Sequence, residues 1–123
     1  MKKLENLKEG KTLYKSHRAE PYFTFIKEGV KNVEGRINKG LYLELKVGDE
    51  IQIFENIESQ NIRAEVIALR NYSSMSEMLE KEDLKEVLPD ANSVEEGVRI
   101  YRKFYTEEQE KEFGVLAIEI KLI

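Results

Sequence analysis

The sequence predicts a small α+β domain with a mostly antiparallel, barrel-like sheet. Two observations lead to this class: short strand patterns outnumber helical ones, and strands and helices do not alternate in repeated βαβ units. The predicted order is strand, helix, three strands, two helices and a final strand. At 123 residues the chain is long enough for one domain with a single core.

The N-terminal part begins with a charged segment. Residues 1–12 are rich in lysine and glutamate, and we expect an N-terminal arm that either frays or joins the single domain formed by residues 13–123. A first strand ends at His17 and Arg18. The segment EPYFTFIKEG then predicts a short helix, because Pro21 suits the first helical position and Gly29 a C-terminal stop.

The segment GVKNVEGRINKG, residues 29–40, predicts the next strand. Its alternation places Glu34, Arg36 and Asn38 on one face and Val33 and Ile37 on the other. The glycine between Glu34 and Arg36 leaves room for a close approach to the backbone.

Charged groups converge on the polar face of that strand. Lys31 precedes the strand, and its long side chain can reach the same space as Glu34 and Arg36. A carboxylate flanked by two cations keeps a lowered pKa and stays ionised. Residue types alone leave two interpretations: a cluster that pairs with itself on the surface, or one that orients a polar ligand.

Three further strands follow from the apolar patterns. A turn at Gly48–Asp49 leads into a strand with Ile51 and Ile53 on one face. The segment IRAEVIALRNY is almost continuously apolar in its middle, which predicts a strand buried on both faces. The C-terminal GVLAIEIKLI alternates cleanly and predicts a strand with one apolar face.

Helix caps mark the region between the last two strands. Ser74 with Glu77 forms a capping-box pattern that opens a helix ending at Pro89. The same device recurs in SVEEGVRIYRKFY and again at Thr106 with Gln109, before a short turn of EEQEKEF.

The residue inventory excludes several kinds of site. There is no cysteine, which excludes disulfides, thiolate metal sites and a cysteine nucleophile, and the one histidine excludes a two-histidine metal site. No glycine-rich phosphate loop or dinucleotide fingerprint is present. No spacing marks an all-carboxylate Mg²⁺ site. We therefore predict neither a cofactor nor a metal.

Charge is distributed unevenly along the chain. The net charge is −4, yet residues 1–46 hold 11 Lys/Arg and 6 Asp/Glu, whereas residues 47–123 hold 9 and 18. Such a chain can present a basic face to an anion while the acidic remainder keeps it in solution, unless folding mixes the two halves. No secretory signal or membrane-spanning segment is recognisable, so we expect a cytoplasmic protein without membrane contact.

Four further residues are weaker candidates for ligand contact. His17, at a strand end, is either a rim residue or a surface residue, and Tyr72 either stacks a base or fills a corner. Arg102 and Lys103 form either a contact to a nucleic-acid backbone or a solvated helix face. The Tyr101–Tyr105 pair is most simply explained by core packing.

Four segments in order resemble the ASCH domain: EPYFTFIKEGVKNVEGRI, LKVGDEIQIF, YSSMSEMLEKE and YTEEQEKEFGVLAIEIKLI. The resemblance extends from Tyr14 to Ile123. It implies a PUA-like β-barrel with a few helices packed at its edge, and a cleft between barrel and helices. It also implies RNA or nucleotide binding, although some similar proteins are enzymes that hydrolyse acetylcytidine or cleave RNA.

The resemblance to the ASCH domain implies roles for three positions of this chain. Lys31 matches the signature lysine, which implies contact with ligand or a role as catalytic base, and Arg36 matches the signature arginine. The hydrolase has a threonine nucleophile where this chain has Glu34, and a carboxylate does not replace that hydroxyl in acyl transfer.

Three functional hypotheses remain from the sequence. In the first, Lys31, Glu34 and Arg36 hold RNA or a nucleotide in a cleft. In the second, the protein is a hydrolase of a modified nucleoside or RNA, with Lys31 or Glu34 as general base and water as nucleophile. In the third, the acidic helix at 77–86 is the surface of a protein-interaction module that has no catalytic activity.

Overall fold

The computed structural model describes residues 1–123 and contains six strands and five α-helices. In chain order these are β1 (Lys2–Asn6), β2 (Thr12–Arg18), α1 (Tyr22–Lys27), β3 (Val33–Ile37), β4 (Glu50–Glu55), β5 (Asn61–Tyr72), α2 (Met75–Lys81), α3 (Leu84–Val87), α4 (Val94–Arg102), α5 (Glu107–Phe113) and β6 (Val115–Leu122). Short 3₁₀ turns occupy Lys8–Gly10 and Gly40–Glu44. The predicted α+β class is confirmed. No helix combines the length and apolarity needed to cross a bilayer.

All six strands belong to one mixed sheet with the order β1-β2-β4-β5-β6-β3. Four neighbouring pairs are antiparallel, and β2 with β4 is the parallel pair. No backbone ladder joins β3 to β1, so closure of the sheet into a barrel is not confirmed. Residues 1–12 are not separate from the sheet, because β1 pairs with β2 along its length.

Strand β6 separates two hydrophobic clusters because its alternate side chains point to opposite faces. Leu116, Ile118 and Ile120 belong to the first cluster, which also contains α1 and the inward faces of β4 and β5. Val115 and Ala117 belong to the second cluster, which packs β3 against α2, α3 and α4. The sheet and the helical layer therefore meet along β3 and β6.

The prediction that β5 is buried on both faces is wrong. Ala64 and Val66 are buried, but Glu65 and Ile67 between and beside them are exposed. Burial alternates regularly from Ala64 to Ile67, so one face of this part of β5 lies in the core and the other is open to solvent, and a register shift follows between Val66 and Ala68. The strand buried on both faces is β6.

The predicted helix from Ser74 to Pro89 is also wrong as a single element. It divides into α2 and α3, and the carboxylate of Asp83 caps the second by accepting from the Lys85 N–H at 3.1 Å. The predicted cap at Ser74 is present, because its hydroxyl accepts from the Glu77 N–H at 3.0 Å. The reciprocal capping box is complete only at the N-terminus of α5.

Candidate functional site

A cavity of about 370 Å³ lies where β2, α1 and β3 meet the C-terminal end of α4. Polar side chains form its floor, and aromatic rings form much of its wall. The residues that line it are Met1, Ser16, His17, Arg18, Ala19, Tyr22, Lys31, Glu34, Arg36, Tyr42, Leu88, Ile100, Tyr101, Phe104 and Tyr105. We refer to this cavity as the cleft.

Glu34 is the central residue of the floor, and its side chain is 0% exposed. Arg18 binds it through two parallel contacts, with Nε donating to Oε2 and Nη2 donating to Oε1 at 2.6 Å. Arg36 adds a third, from Nη2 to Oε2 at 3.1 Å. Burial opposes ionisation of the Glu34 carboxyl, but the charges of Arg18 and Arg36 outweigh it and hold its pKa well below the usual range.

The two arginines are fixed by further contacts. Arg18 Nη1 donates to the Ser16 hydroxyl at 2.6 Å and to the His17 carbonyl at 2.7 Å. Arg36 donates from Nε to the Tyr42 hydroxyl at 3.1 Å and from Nη1 to the carbonyl of the preceding glycine at 2.9 Å. Burial alone would lower the pKa of Arg36, but the Glu34 carboxylate raises it above the usual value, so this guanidinium remains charged.

Lys31 lies beside this pair and is only 4% exposed. Its ammonium donates to the Val33 carbonyl at 2.9 Å and to the Val87 carbonyl, which ties the start of β3 to the end of α3. Burial lowers the pKa of Lys31 to about 7, even though the Glu34 carboxylate favours the charged form. Lys31 is therefore an amine that exchanges a proton near neutral pH.

The glycine that interrupts the charged cluster allows a close contact from the helical layer. A Cβ at Gly35 would lie 2.6 Å from Met78 Cε and 2.8 Å from the Tyr101 hydroxyl oxygen. The space above this backbone is thus occupied by side chains of α2 and α4. Gly35 serves the packing of α4 on β3, and this packing brings Tyr101 to the cleft.

Aromatic side chains form the upper part of the cleft. Tyr101 is buried, Tyr105 and Tyr42 are half-buried, and Phe104 is 61% exposed at the mouth. Burial raises the pKa of Tyr101, so its hydroxyl stays protonated and able to donate. Rings with polar tips around a polar floor suit a ligand that has both a flat face and a charged or polar end.

The floor carries more positive than negative charge. Two guanidinium groups face the single carboxylate of Glu34, and Lys31 adds a further positive charge whenever it is protonated. No group of three or more His, Cys, Asp or Glu side chains is arranged to hold a metal ion. The floor therefore favours binding of an anion or of a strong hydrogen-bond acceptor.

The structure brings four of the sequence-predicted site residues together. Lys31, Glu34 and Arg36 form the floor, and His17 lines the cleft at its rim. His17 Nε2 lies 2.6 Å from a carboxylate oxygen of Glu58, an ion-pair geometry that is exposed to solvent.

Three other predicted residues lie outside the lining. The hydroxyl of Tyr72 donates to the Glu82 carboxylate at the start of the helical layer. Arg102 donates to Glu110 at 3.2 Å and borders a separate surface depression. Lys103 is exposed at the end of α4.

Several residues of the cleft were missed at the sequence level. Arg18 makes the strongest contact with Glu34, and its position beside His17 at a strand end was the one signal available. The prediction that Tyr101 and Tyr105 pack in the core is confirmed, since both belong to or pack against the second cluster, but their position in the cleft lining was not predicted. Tyr42 lies in a 3₁₀ turn, and nothing in its local sequence indicated a contact with Arg36.

The ASCH domain family model matches residues 17–123, which is most of the chain and includes the whole charged floor. The chain belongs to the ASCH domain family. A comparison with curated proteins found no match.

Solved structures agree with this assignment. The crystal structure of hypothetical protein PH0355 is 42% identical, has a TM-score of 0.81, and aligns over 90% of this chain and 99% of its own. The solution structure of protein PF0455 from Pyrococcus furiosus is 39% identical with a TM-score of 0.73, covering 90% and 97%. A mutant ASCH protein from Zymomonas mobilis shares the fold at 16% identity and a TM-score of 0.53, covering 87% of this chain and 66% of its own.

Proposed function

We propose that this ASCH domain binds RNA or a nucleotide in the cleft, with the ligand held by the cluster of Lys31, Glu34 and Arg36. The observation that carries the proposal is the excess positive charge on a floor that aromatic side chains surround. A nucleotide offers the matching chemistry, since it combines a negatively charged phosphate with a flat base. Membership of the ASCH family supports the same class of ligand.

Each residue of the cluster has a distinct part in this proposal. Lys31 and Arg36 contact the ligand directly, because each keeps N–H groups without a protein acceptor. Glu34 orients Arg36 and Arg18, since both of its oxygens already accept from guanidinium groups. His17 lines the rim.

Three residues outside the cleft remain candidates for a longer RNA. Lys103 directly precedes Phe104, which lies at the mouth, and Arg102 lies on the same helix end. These two cations are placed to meet the backbone of a chain that leaves the cleft. Stacking of a base on Tyr72 would occur further away, outside the cleft lining.

A second candidate function is hydrolysis of a modified nucleoside or of RNA, of the amidohydrolase or ribonuclease type. The observation that favours it is a buried amine in the cleft lining: Lys31 is 4% exposed, and this burial lowers its pKa to about 7, where an amine can act as a general base at neutral pH. Glu34 is the poorer base, because the arginines hold its pKa low. Turnover of acylated nucleosides or labelled RNAs that disappears in Lys31→Met is the expected result, and no turnover would exclude it.

The binding proposal is tested with fluorescently labelled short single-stranded RNAs and with mononucleotides. Lys31→Met and Arg36→Gln are expected to weaken binding at least about tenfold, because each removes a charged donor from the floor. Lys121→Met is the matched control, since it removes an equal charge from an exposed position on β6, outside the cleft. Circular dichroism establishes that each variant is folded. Equal affinity in all four proteins would contradict the proposal.

A further inference from the structure

We propose that the floor of the cleft binds a terminal phosphate, the phosphomonoester end of a nucleotide or of an RNA chain. This inference rests on the proposed function and specifies which part of the ligand enters first. It depends on three observations: unused hydrogen-bond donors on the floor, an uncompensated buried positive charge, and a cavity with room for one nucleotide.

The floor offers donors that the protein itself does not use. A lysine ammonium has three N–H groups and an arginine guanidinium has five. Lys31 uses two on backbone carbonyls, and Arg36 uses three, on Tyr42, Gly35 and Glu34. One N–H of Lys31 and two of Arg36 therefore lack a protein acceptor, and both side chains line the cleft.

No further protein acceptor is hydrogen-bonded to these donors. Both oxygens of Glu34 are engaged by Arg18 and Arg36. Asp90 also favours the charged form of Lys31, but its carboxylate makes no hydrogen bond to Lys31 and accepts instead from the Tyr22 hydroxyl at 3.2 Å. The ligand group that reaches this floor must supply acceptor atoms.

The charge balance favours an anion over a neutral base carbonyl. A buried charge without a partner is costly, and the floor sets Arg18 and Arg36, together with Lys31 when it is protonated, against one carboxylate. A base carbonyl can accept from at most two donors, and being neutral it leaves the excess charge in place. A phosphomonoester carries about −1.5 to −2 charges at pH 7 and three acceptor oxygens, so it satisfies both requirements.

The size and depth of the site favour a chain end over an internal phosphodiester. The donors are buried at the floor, where Lys31 is 4% exposed, and the cavity of about 370 Å³ lies at the small end of the roughly 300–1,000 Å³ typical of ligand pockets. An internal phosphate would bring a nucleoside on each side into that space. A terminal phosphate needs room for only one, which the rings of Tyr101 and Phe104 can contact.

The experiment compares ligands on the unaltered protein, so it does not depend on the folding of a variant. Binding is measured for one RNA hexamer with a 5′-phosphate, with a 3′-phosphate, and with hydroxyl groups at both ends. A nucleoside, its 5′-monophosphate and its 3′-monophosphate form the parallel small-molecule series. Inorganic phosphate is tested as a competitor in both series.

A terminal phosphate at the floor predicts that phosphate-ended ligands bind at least about tenfold tighter than hydroxyl-ended ones, a gap that closes in Arg36→Gln. If the difference in affinity occurs in the hexamer series alone, the ligand is the end of an RNA chain. If it occurs in the monomer series alone, the ligand is a free nucleotide. Equal affinity for phosphate-ended and hydroxyl-ended ligands in both series overturns this inference but leaves binding of RNA or nucleotides in the cleft intact. Absence of binding in both series overturns the proposed function as well.

Discussion

Arg18 and Glu34 form a two-point ion pair between β2 and β3, which are the second and the last strand of the sheet. Three strands, β4, β5 and β6, lie between them in the hydrogen-bonded order. The sheet therefore curves far enough for side chains to connect strands that no backbone ladder joins. The same ion pair forms the floor of the cleft, so the curvature of the sheet and the geometry of the site depend on each other.

Replacing Glu34 by glutamine is expected to destabilise the fold strongly. The substitution preserves shape but removes the one negative charge between two buried guanidinium groups, and breaking a buried pair from one side typically costs about 3–5 kcal/mol. Urea unfolding followed by circular dichroism measures the change. Glu44→Gln is the matched control, because Glu44 pairs with Lys3 at the surface, where the two side chains are 54% and 52% exposed.

The control is expected to leave the unfolding midpoint unchanged. If Glu34→Gln also leaves the midpoint unchanged, the pair is not a major contributor to stability. In that case Glu34 would act only in the site.

Lys31 gives the protein a stability that rises with pH above neutral. In the folded state burial lowers its pKa to about 7, whereas in the unfolded chain it keeps the usual lysine value. Between these two values the unfolded state holds more protons, so the free energy of unfolding increases as pH increases. This increase in the free energy of unfolding ends near pH 10. Above that pH Tyr22 and Tyr101 lower the free energy of unfolding, because burial raises their pKa in the folded state.

Urea midpoints at pH values from 7 to 9.5 test this, in the unaltered protein and in Lys31→Met. We expect the midpoint of the unaltered protein to rise over this range and that of Lys31→Met to rise less. Parallel curves for the two proteins would show that Lys31 does not titrate in this window. Comparison with Lys121→Met separates the effect from a general change in net charge.

Gly35→Ala is expected to destabilise the protein by about 1–3 kcal/mol, the usual cost of overpacking a filled core. The added methyl would lie 2.6 Å from Met78 Cε and 2.8 Å from the Tyr101 hydroxyl oxygen. The flexible end of Met78 can move, but displacement of Tyr101 would change the wall of the cleft. The urea midpoint and the affinity for RNA should therefore both decrease.

A double-mutant cycle with Met78→Ala checks the physical cause. If the clash with Met78 dominates, the two substitutions together cost less than the sum of the separate costs, because the new methyl occupies part of the vacated space. Additive costs would contradict this explanation.

The sequence was most informative where local rules decide the structure. Strand alternation predicted β3 and β6, and side-chain caps predicted the starts of α2, α4 and α5. Prediction from the sequence failed where the structure depends on contacts between residues that are distant in the chain. The apolar run in β5 predicted two buried faces, although nothing packs on the face that carries Glu65 and Ile67 closely enough to bury it. The break before Asp83 depends on a single local cap.

The candidate site was predictable in part for the same reason. Glu34 and Arg36 share one face of β3 and Lys31 lies two residues before that strand, so the spacing predicted that the three converge. The partner that binds Glu34 most closely, Arg18, comes from a strand that is distant in both the chain and the sheet. Nothing local indicates that the sheet curves enough to bring the two together, and this curvature converts an apparently wet strand face into a buried floor.

Phe104→Ala tests whether the mouth of the cleft contacts a base. The ring is 61% exposed and lines the cleft, so its removal should not change the urea midpoint. Stacking of a base on an aromatic side chain contributes about 1–3 kcal/mol, and we expect RNA affinity to fall by roughly 5- to 150-fold. Ile57→Ala is the control, because Ile57 is 82% exposed and lies outside the cleft lining. Loss of affinity in both variants would indicate a general surface effect, whereas loss in Phe104→Ala alone would indicate that a base contacts the mouth of the cleft.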